Sequence, residues 1–412
     1  MPYFTQCYPM QINSLESCKK HTSPLSRYMY SIAIISIILV YLDLPAFVYE
    51  VNEAFLPKYF YFIMVALISP VILLRYRYFI RYLTSPFALW ALAFSLLNLA
   101  HWITGGYSTD SAVTSLIATR IQYLGLSVLM GFLLLNVPKS SYDHIFPCLA
   151  IVITLLLIWD FLIPWTASTG MEGAVPGRAG ATFINSNKAG EGLLLAFMLG
   201  AFVLNHSLRS ALLLLIVPGI ICTFSRSAII GWILVTAYLG LVRIVPRYTL
   251  AVAAAALGVI FLAPWAMDYL MGRADLAGSV DDLVFRLFSL RTANFTDYAA
   301  AERAMVLQAG VAMFLEHPLL GAGAGATSFW AMGISTHNQL VLLAAEYGIP
   351  GIVAWISLFA IIWRGCFYSN RKMQMGAAFL FAYFSCFSHN LFDFPYWLLS
   401  FALFSVDQRR WA

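Results

Sequence analysis

The residues with the most pointed chemistry are one histidine and a set of arginines that fall at the borders of apolar runs. Arg226 sits in CTFSRSAIIGW, a minimal turn between two such runs. An arginine held at a bilayer edge must find an anion or a carboxylate, because an unpaired, desolvated guanidinium is costly. Snorkelling to lipid phosphates is the competing reading, and it weighs more for Arg120 and Arg178. Arg303 stands near the start of YAAAERAMVLQAGVAMFLE, beside Glu302. His337 opens the stretch HNQLVLLAAEYG after a Gly-rich turn. Among arginines, the positive field disfavours imidazolium and lowers its pKa. A neutral imidazole accepts a proton at pH 7 and suits a general base; a structural histidine is the alternative. His317, before Pro318, reads as a helix-end residue. His389, in FSHNLFD with Asp393, reads as a polar contact at the outer end of a span.

Three acids, Asp160, Glu191 and Glu346, lie in apolar surroundings. Pairing with an arginine and serving a proton path are the roles open to them. No carboxylate cluster, D-x-D pair or His-rich tract signals a metal, and no cofactor is expected. The run LLGAGAGA lacks the strand, Lys and Ser of a phosphate-cradling loop and reads as a tight turn. The six cysteines form no C-x-x-C: Cys7 and Cys18 are in a polar head, and Cys148, Cys222, Cys366 and Cys386 lie in or beside apolar runs, where thiols are buried hydrophobes.

These side chains must be positioned by a membrane bundle. The 412 residues are 61% hydrophobic and 10% charged, with a mean hydropathy of +0.80. A soluble domain carries about 25% charged residues, so a water-exposed surface could not be covered. Apolar runs predict spans near 29–48, 57–74, 86–104, 118–136, 145–165, 188–205, 210–224, 227–243, 248–267, 349–366, 373–389 and 391–406. The fold class is therefore all-α, a polytopic membrane protein of about 12 helices. The first run reads as a retained span, with no small-residue cleavage site after it.

With the N-terminus inside, every alternate connection carries a base: Lys19, Lys20 and Arg27; Arg75, Arg77 and Arg81; Lys139; Arg209; Arg243 and Arg247; Arg364, Arg371 and Lys372; Arg409 and Arg410. The opposite connections hold Asp43, Glu50, Glu53 and Asp110. By the positive-inside rule both termini are cytoplasmic. The remaining bases, Lys58, Arg120, Arg178, Lys188, Arg226, Arg273, Arg286, Arg291 and Arg303, fall on the outer side. The organisation read from this is a cytoplasmic segment 1–27, a first bundle 28–267, a periplasmic segment 268–348 and three last spans with the C-terminus, 349–412. Within the periplasmic segment, 298–316 is expected to be an amphipathic helix at the membrane surface, and the stretch from His337 a half-helix ending at Gly348 before Pro350.

Four motifs in this order resemble the O-antigen ligase and O-antigen polymerase superfamily of bacterial membrane glycosyltransferases, with a GT-C-like fold. GRAGATFINSNKAGEGLLLAF is similar to the family's outer loop leading into a span, and TFSRSAIIGW to its short turn with an essential arginine, here Arg226. AERAMVLQAGVAMFLEHPLLGAGAGATSFW resembles its signature helix, with Arg303 at the functional arginine. THNQLVLLAAEYGIPG resembles its His-Asn segment, which puts His337 at the catalytic histidine. The resemblance implies a glycan donor on undecaprenyl pyrophosphate in the inner membrane. Arg226 and Arg303 would clamp the pyrophosphate without a metal, with Arg178 and Arg120 in support. His337 would deprotonate the acceptor, and displacement in one step would invert the anomeric centre. A lipid A–core acceptor makes the chain a ligase. The alternatives are a polymerase joining lipid-linked repeat units, a protein-directed transferase, and, outside the family, a lipid or anion transporter. A transporter would carry polar residues through the middle of several spans, and few stand there.

Overall fold

The structure, a computed structural model, describes residues 23–104, 111–138, 142–168, 170–171, 173–262, 298–365 and 370–405. Expectations placed on Cys7, Cys18, Lys19, Lys20, Asp110, Lys139, Arg273, Arg286, Arg291, Cys366, Arg409 and Arg410 lie outside the described residues, as do those for 268–297.

The described residues are helical and contain no strand. The helices are α1 Pro24–Tyr41, α2 Leu44–Val51, α3 Pro57–Leu74, α4 Tyr76–Leu83, α5 Pro86–Ile103, α6 Ser111–Leu135 and α7 Ile145–Leu162. They continue with α8 Ser186–Ala201, α9 His206–Leu215, α10 Val217–Cys222, α11 Arg226–Leu241 and α12 Arg247–Leu262. After the undescribed stretch come α13 Tyr298–Glu316, α14 Gln339–Tyr347, α15 Ile349–Arg364, α16 Arg371–Ser385 and α17 Pro395–Ser405. Each apolar run of the sequence coincides with a helix or a broken pair. The expected span 29–48 breaks at Leu42 and Asp43, because Pro45 lacks the N–H that would bond the carbonyl four residues earlier. The run 210–224 breaks in the same way at Ile216, ahead of Pro218.

Among the described residues five helices, α1, α3, α5, α6 and α7, are long and apolar enough to cross a membrane. Others are shorter: α11 and α15 have 16 residues each, about 24 Å at 1.5 Å per residue, against about 30 Å of hydrocarbon. By this measure five of the expected crossings stand among the described residues.

Helix starts are set by side chains. Ser23, Ser85, Ser225 and Asn338 each accept the backbone N–H three residues on, and so satisfy a donor that the first turn leaves open. The bundle is centred on α8, which is buried from Ala189 to Ala201 and packs against α7, α11 and α17. The last helix α17 is buried along Pro395–Phe404 and packs against α6. A helix apolar all round belongs inside a bundle, and these two occupy that place.

Helix α13 has the predicted bounds, but its outward face is not polar. Met305, Val311 and Leu315 are exposed along it, next to exposed Leu319 and Leu320. Val306 is buried, and α13 packs against α14.

The Gly-rich turn proves to be a cap for the half-helix. Ala322 and Gly323 donate their N–H groups to the carbonyls of Ala345 and Glu346, at 2.8 and 3.1 Å, and Ile349 donates to Pro318. Carbonyls at a helix C-terminus have no intrahelical partner, and this loop supplies one. The approach requires glycine at 321, where φ is +75° and a Cβ would lie 2.3 Å from the Glu346 carbonyl carbon.

Candidate active site

A cavity of about 420 Å³ opens where α8, α11, α13, α14 and the end of α16 converge. Its lining includes Arg226, Arg303 and His337, together with Asn187, Ser227, Thr336, Asn338 and Phe387. Each arrives by a local rule. Ser225 caps α11, so Arg226 falls at its first residue and is carried to the cavity rim. Asn338 caps α14, which places His337 immediately ahead of that helix. Arg303 lies one turn into α13.

Residue 337 has φ +49°, a left-handed conformation that a non-glycine residue adopts at a cost of about 1–3 kcal/mol. Its ring meets the His389 ring edge to face, with centroids 5.0 Å apart. Below it, Gln339 accepts the Leu391 N–H at 2.7 Å, so the His-Asn-Gln segment is tied to the connection between α16 and α17. Burial first, and then the Arg303 charge, lower the His337 pKa to about 4. His389 is lowered to about 3, mainly by burial, with further contributions from His337, Lys188 and Arg120. Both imidazoles are neutral at pH 7.

A second layer holds the rim. Asn187 accepts from Arg178 Nη2 at 2.8 Å and from the Ser225 hydroxyl at 2.8 Å, and Arg178 Nε donates to the Thr223 carbonyl. The Tyr383 hydroxyl donates to the Ser227 carbonyl and pins α16 to α11. The loop that carries Arg178 is itself held by Asp160, whose Oδ2 accepts the N–H groups of Gly180 and Ala181 at 2.9 and 2.8 Å.

Arg120 is not among the cavity residues. Its Nη1 donates to Glu346 at 2.8 Å and to the Tyr347 hydroxyl at 2.8 Å, while Nε and Nη2 grip Asp393 at 2.6 and 3.2 Å. Only 2% of the residue is exposed, so snorkelling to the lipid surface does not describe it either. The Thr327 hydroxyl completes Glu346, and Tyr347 donates on to Asn98. This network locks α14 to α5, α6 and the Asp393 loop.

The three acids take three roles. Of them, Glu346 pairs with an arginine, Asp160 caps backbone amides, and Glu191 accepts the Trp397 indole N–H at 2.9 Å. Asp393, named in the sequence only as a neighbour of His389, is the second carboxylate on Arg120. Asn187 was not singled out. A polar residue in FINSNKAG, directly at the mouth of a buried helix, was the available signal.

Residues 211–356 match the family model of the O-antigen ligases. Over that segment, about a third of its length, the chain is similar to the O-antigen ligase family. No curated protein matches the chain. The matched segment takes in Arg226, Arg303 and His337 and leaves Arg120 and Arg178 outside it. Of these four arginines, the two inside the segment line the cavity and the two outside it do not.

Proposed function

We propose that this protein is an O-antigen ligase of the bacterial inner membrane, acting at the periplasmic face with both termini cytoplasmic. It moves a glycan from undecaprenyl pyrophosphate to a sugar hydroxyl of lipid A–core. Residues 28–267 and 349–412 form the membrane bundle of this enzyme, and 268–348 its periplasmic segment. The observation that supports the reading is the meeting of two guanidiniums and one neutral imidazole in a single cavity.

In this reading His337 takes the proton of the acceptor hydroxyl as that oxygen attacks the anomeric carbon. The bond from that carbon to the pyrophosphate oxygen breaks, and its electron pair leaves with undecaprenyl pyrophosphate. Attack opposite the leaving group inverts the centre. Arg226 and Arg303 stabilise the charge that collects on the departing oxygens, where Arg forms paired, charge-assisted hydrogen bonds. Donor binding also prepares the base. The Arg303 charge holds the His337 pKa down, so a diphosphate seated on Arg303 offsets it and raises imidazole basicity. Arg178 acts on the rim through Asn187, and Arg120 acts by holding α14 in place.

The test is transfer by the purified protein from the lipid-linked donor to a lipid A–core acceptor in the presence of a chelator. Transfer is expected in the wild type and lost in His337→Ala and Arg226→Ala. Full activity in His337→Ala would remove the base assignment. Glycan chain growth on donor alone, with no core acceptor, would overturn the ligase reading in favour of a polymerase.

A further inference from the structure

A smaller cavity of about 190 Å³, which the proposed transfer reaction does not use, lies where α3, α4 and the C-terminal end of α6 meet. Its walls are Arg75, Tyr78, Tyr82, Phe132, Leu135 and Asn136. Arg120 and Asn136 are 16 residues apart along α6 and its C-terminal end, which corresponds to about 24 Å of helix. The smaller cavity therefore lies about that far along α6 from the Arg120 network. At 190 Å³ the volume is below the roughly 300–1,000 Å³ of a pocket for a drug-sized ligand and suits a small head group.

The chemistry of the walls is specific. Arg75 breaks α3 from α4, and its Nη1 donates at 2.7 Å to Asn136 Oδ1, a neutral partner; no carboxylate pairs with it among the described residues. Tyr82 is fully buried, and its hydroxyl occupies space that Gly131 leaves open, 2.2 Å from where a Cβ would stand. From Ala54 to Thr109 the sequence has no Asp or Glu, whereas α4 adds Arg77 and Arg81 within six residues of Arg75. Beside exposed Arg77 and Arg81, the same stretch also presents apolar and aromatic side chains. Leu73, Leu74, Tyr76, Tyr78, Ile80 and Leu83 are all exposed. A polar, cationic cavity bordered by exposed aliphatic and tyrosine side chains is the complement of an amphiphile with a negative head.

We propose that this cavity binds the phosphodiester headgroup of an anionic membrane lipid, with Arg75 on the phosphate and the acyl chains along Leu73, Leu74 and Ile80. A free phosphate shares the head chemistry but would leave those apolar residues without a partner. The experiment measures thermal unfolding of the full chain in neutral detergent with added phosphatidylglycerol, phosphatidylcholine of the same chains, or inorganic phosphate. Phosphatidylglycerol is expected to raise the midpoint by a few degrees, as a ligand of the folded state does. The other two additions are expected to leave it unmoved. Arg75→Gln should need at least roughly tenfold more phosphatidylglycerol for the same shift, the loss expected from one charged hydrogen bond. Asn136→Asp keeps the side-chain size but gives Arg75 an internal carboxylate, and should abolish the shift even if Arg75→Gln does not fold. An unshifted wild type, an equal response to phosphatidylcholine, a response to inorganic phosphate in place of the lipid, or an undiminished shift in Asn136→Asp would each overturn the proposal. Glycan transfer in Asn136→Asp is expected to be retained, so the outcome is independent of the ligase reading.

Discussion

Two groups of arginines stand a few helices apart and are spent in opposite ways. Arg120 is surrounded by groups the fold itself supplies: two carboxylates, a phenol and, behind them, Thr327 and Asn98. Arg226 and Arg303 border a cavity with a histidine at its wall. The guanidinium is the same in each case, and its surroundings decide its use. An arginine whose donors end on the protein's own carboxylates fixes geometry, and one that borders a cavity can meet a substrate.

The comparison breaks most sharply at Arg120. Arg120→Ala leaves Glu346 buried with no counter-charge, and removing one partner of a buried pair costs about 3–5 kcal/mol. The protein should unfold at markedly lower temperature in detergent; an unchanged midpoint would place Arg120 outside the structural network. Arg226→Ala should do the reverse, with a near-normal midpoint and transfer lower by about 10²–10³-fold, the effect of losing one preorganised charge donor. Equal losses of stability in the two variants would erase the distinction. Thr327→Val should fall between surface and network, with a loss of about 1–3 kcal/mol for a hydrogen bond to a charged group.

The pH dependence sharpens the comparison on the cavity side. With the His337 pKa lowered to about 4, the free enzyme keeps its base form down to that pH, and kcat/KM should fall on the acid side near 4 instead of near 6.5. Arg303→Ala removes one of the two causes, so the His337 titration, followed by NMR, should move upward; no movement would mean that the two side chains do not sense each other. The stability sign follows from linkage. Between about pH 6.5 and 4 the unfolded histidine binds a proton and the folded one does not, so His337 and His389 together make the fold less stable as pH falls through that window.

Much of the fold was legible because apolarity and proline placement are local. The runs that became α5, α7 and α11 need only neighbouring residues to be recognised, whereas the runs 29–48 and 210–224 were read as unbroken although Pro45 and Pro218 interrupt them. Arg226, Arg303 and His337 were grouped in the sequence by the resemblance of their motifs, and the cavity lining brings the same three side chains together. The role of Arg120 was not, since its acids lie 226 and 273 residues away and no local pattern records such a meeting. Nor could the three acids be sorted in advance. Asp160 has backbone amides of the 178–183 loop as its partners, and backbone amides leave no mark in the identity of the residues that carry them.

The left-handed backbone at residue 337 carries a consequence for evolution and engineering alike. Glycine would sit there in comfort, so an imidazole held against that preference makes the molecule weaker than it could be. His337→Gly would relieve that backbone strain while losing the ring packed on His389, and under the proposed reaction it would also lose the base. If the proposed reaction holds, stabilising substitutions belong elsewhere, with that one strained residue left as it is.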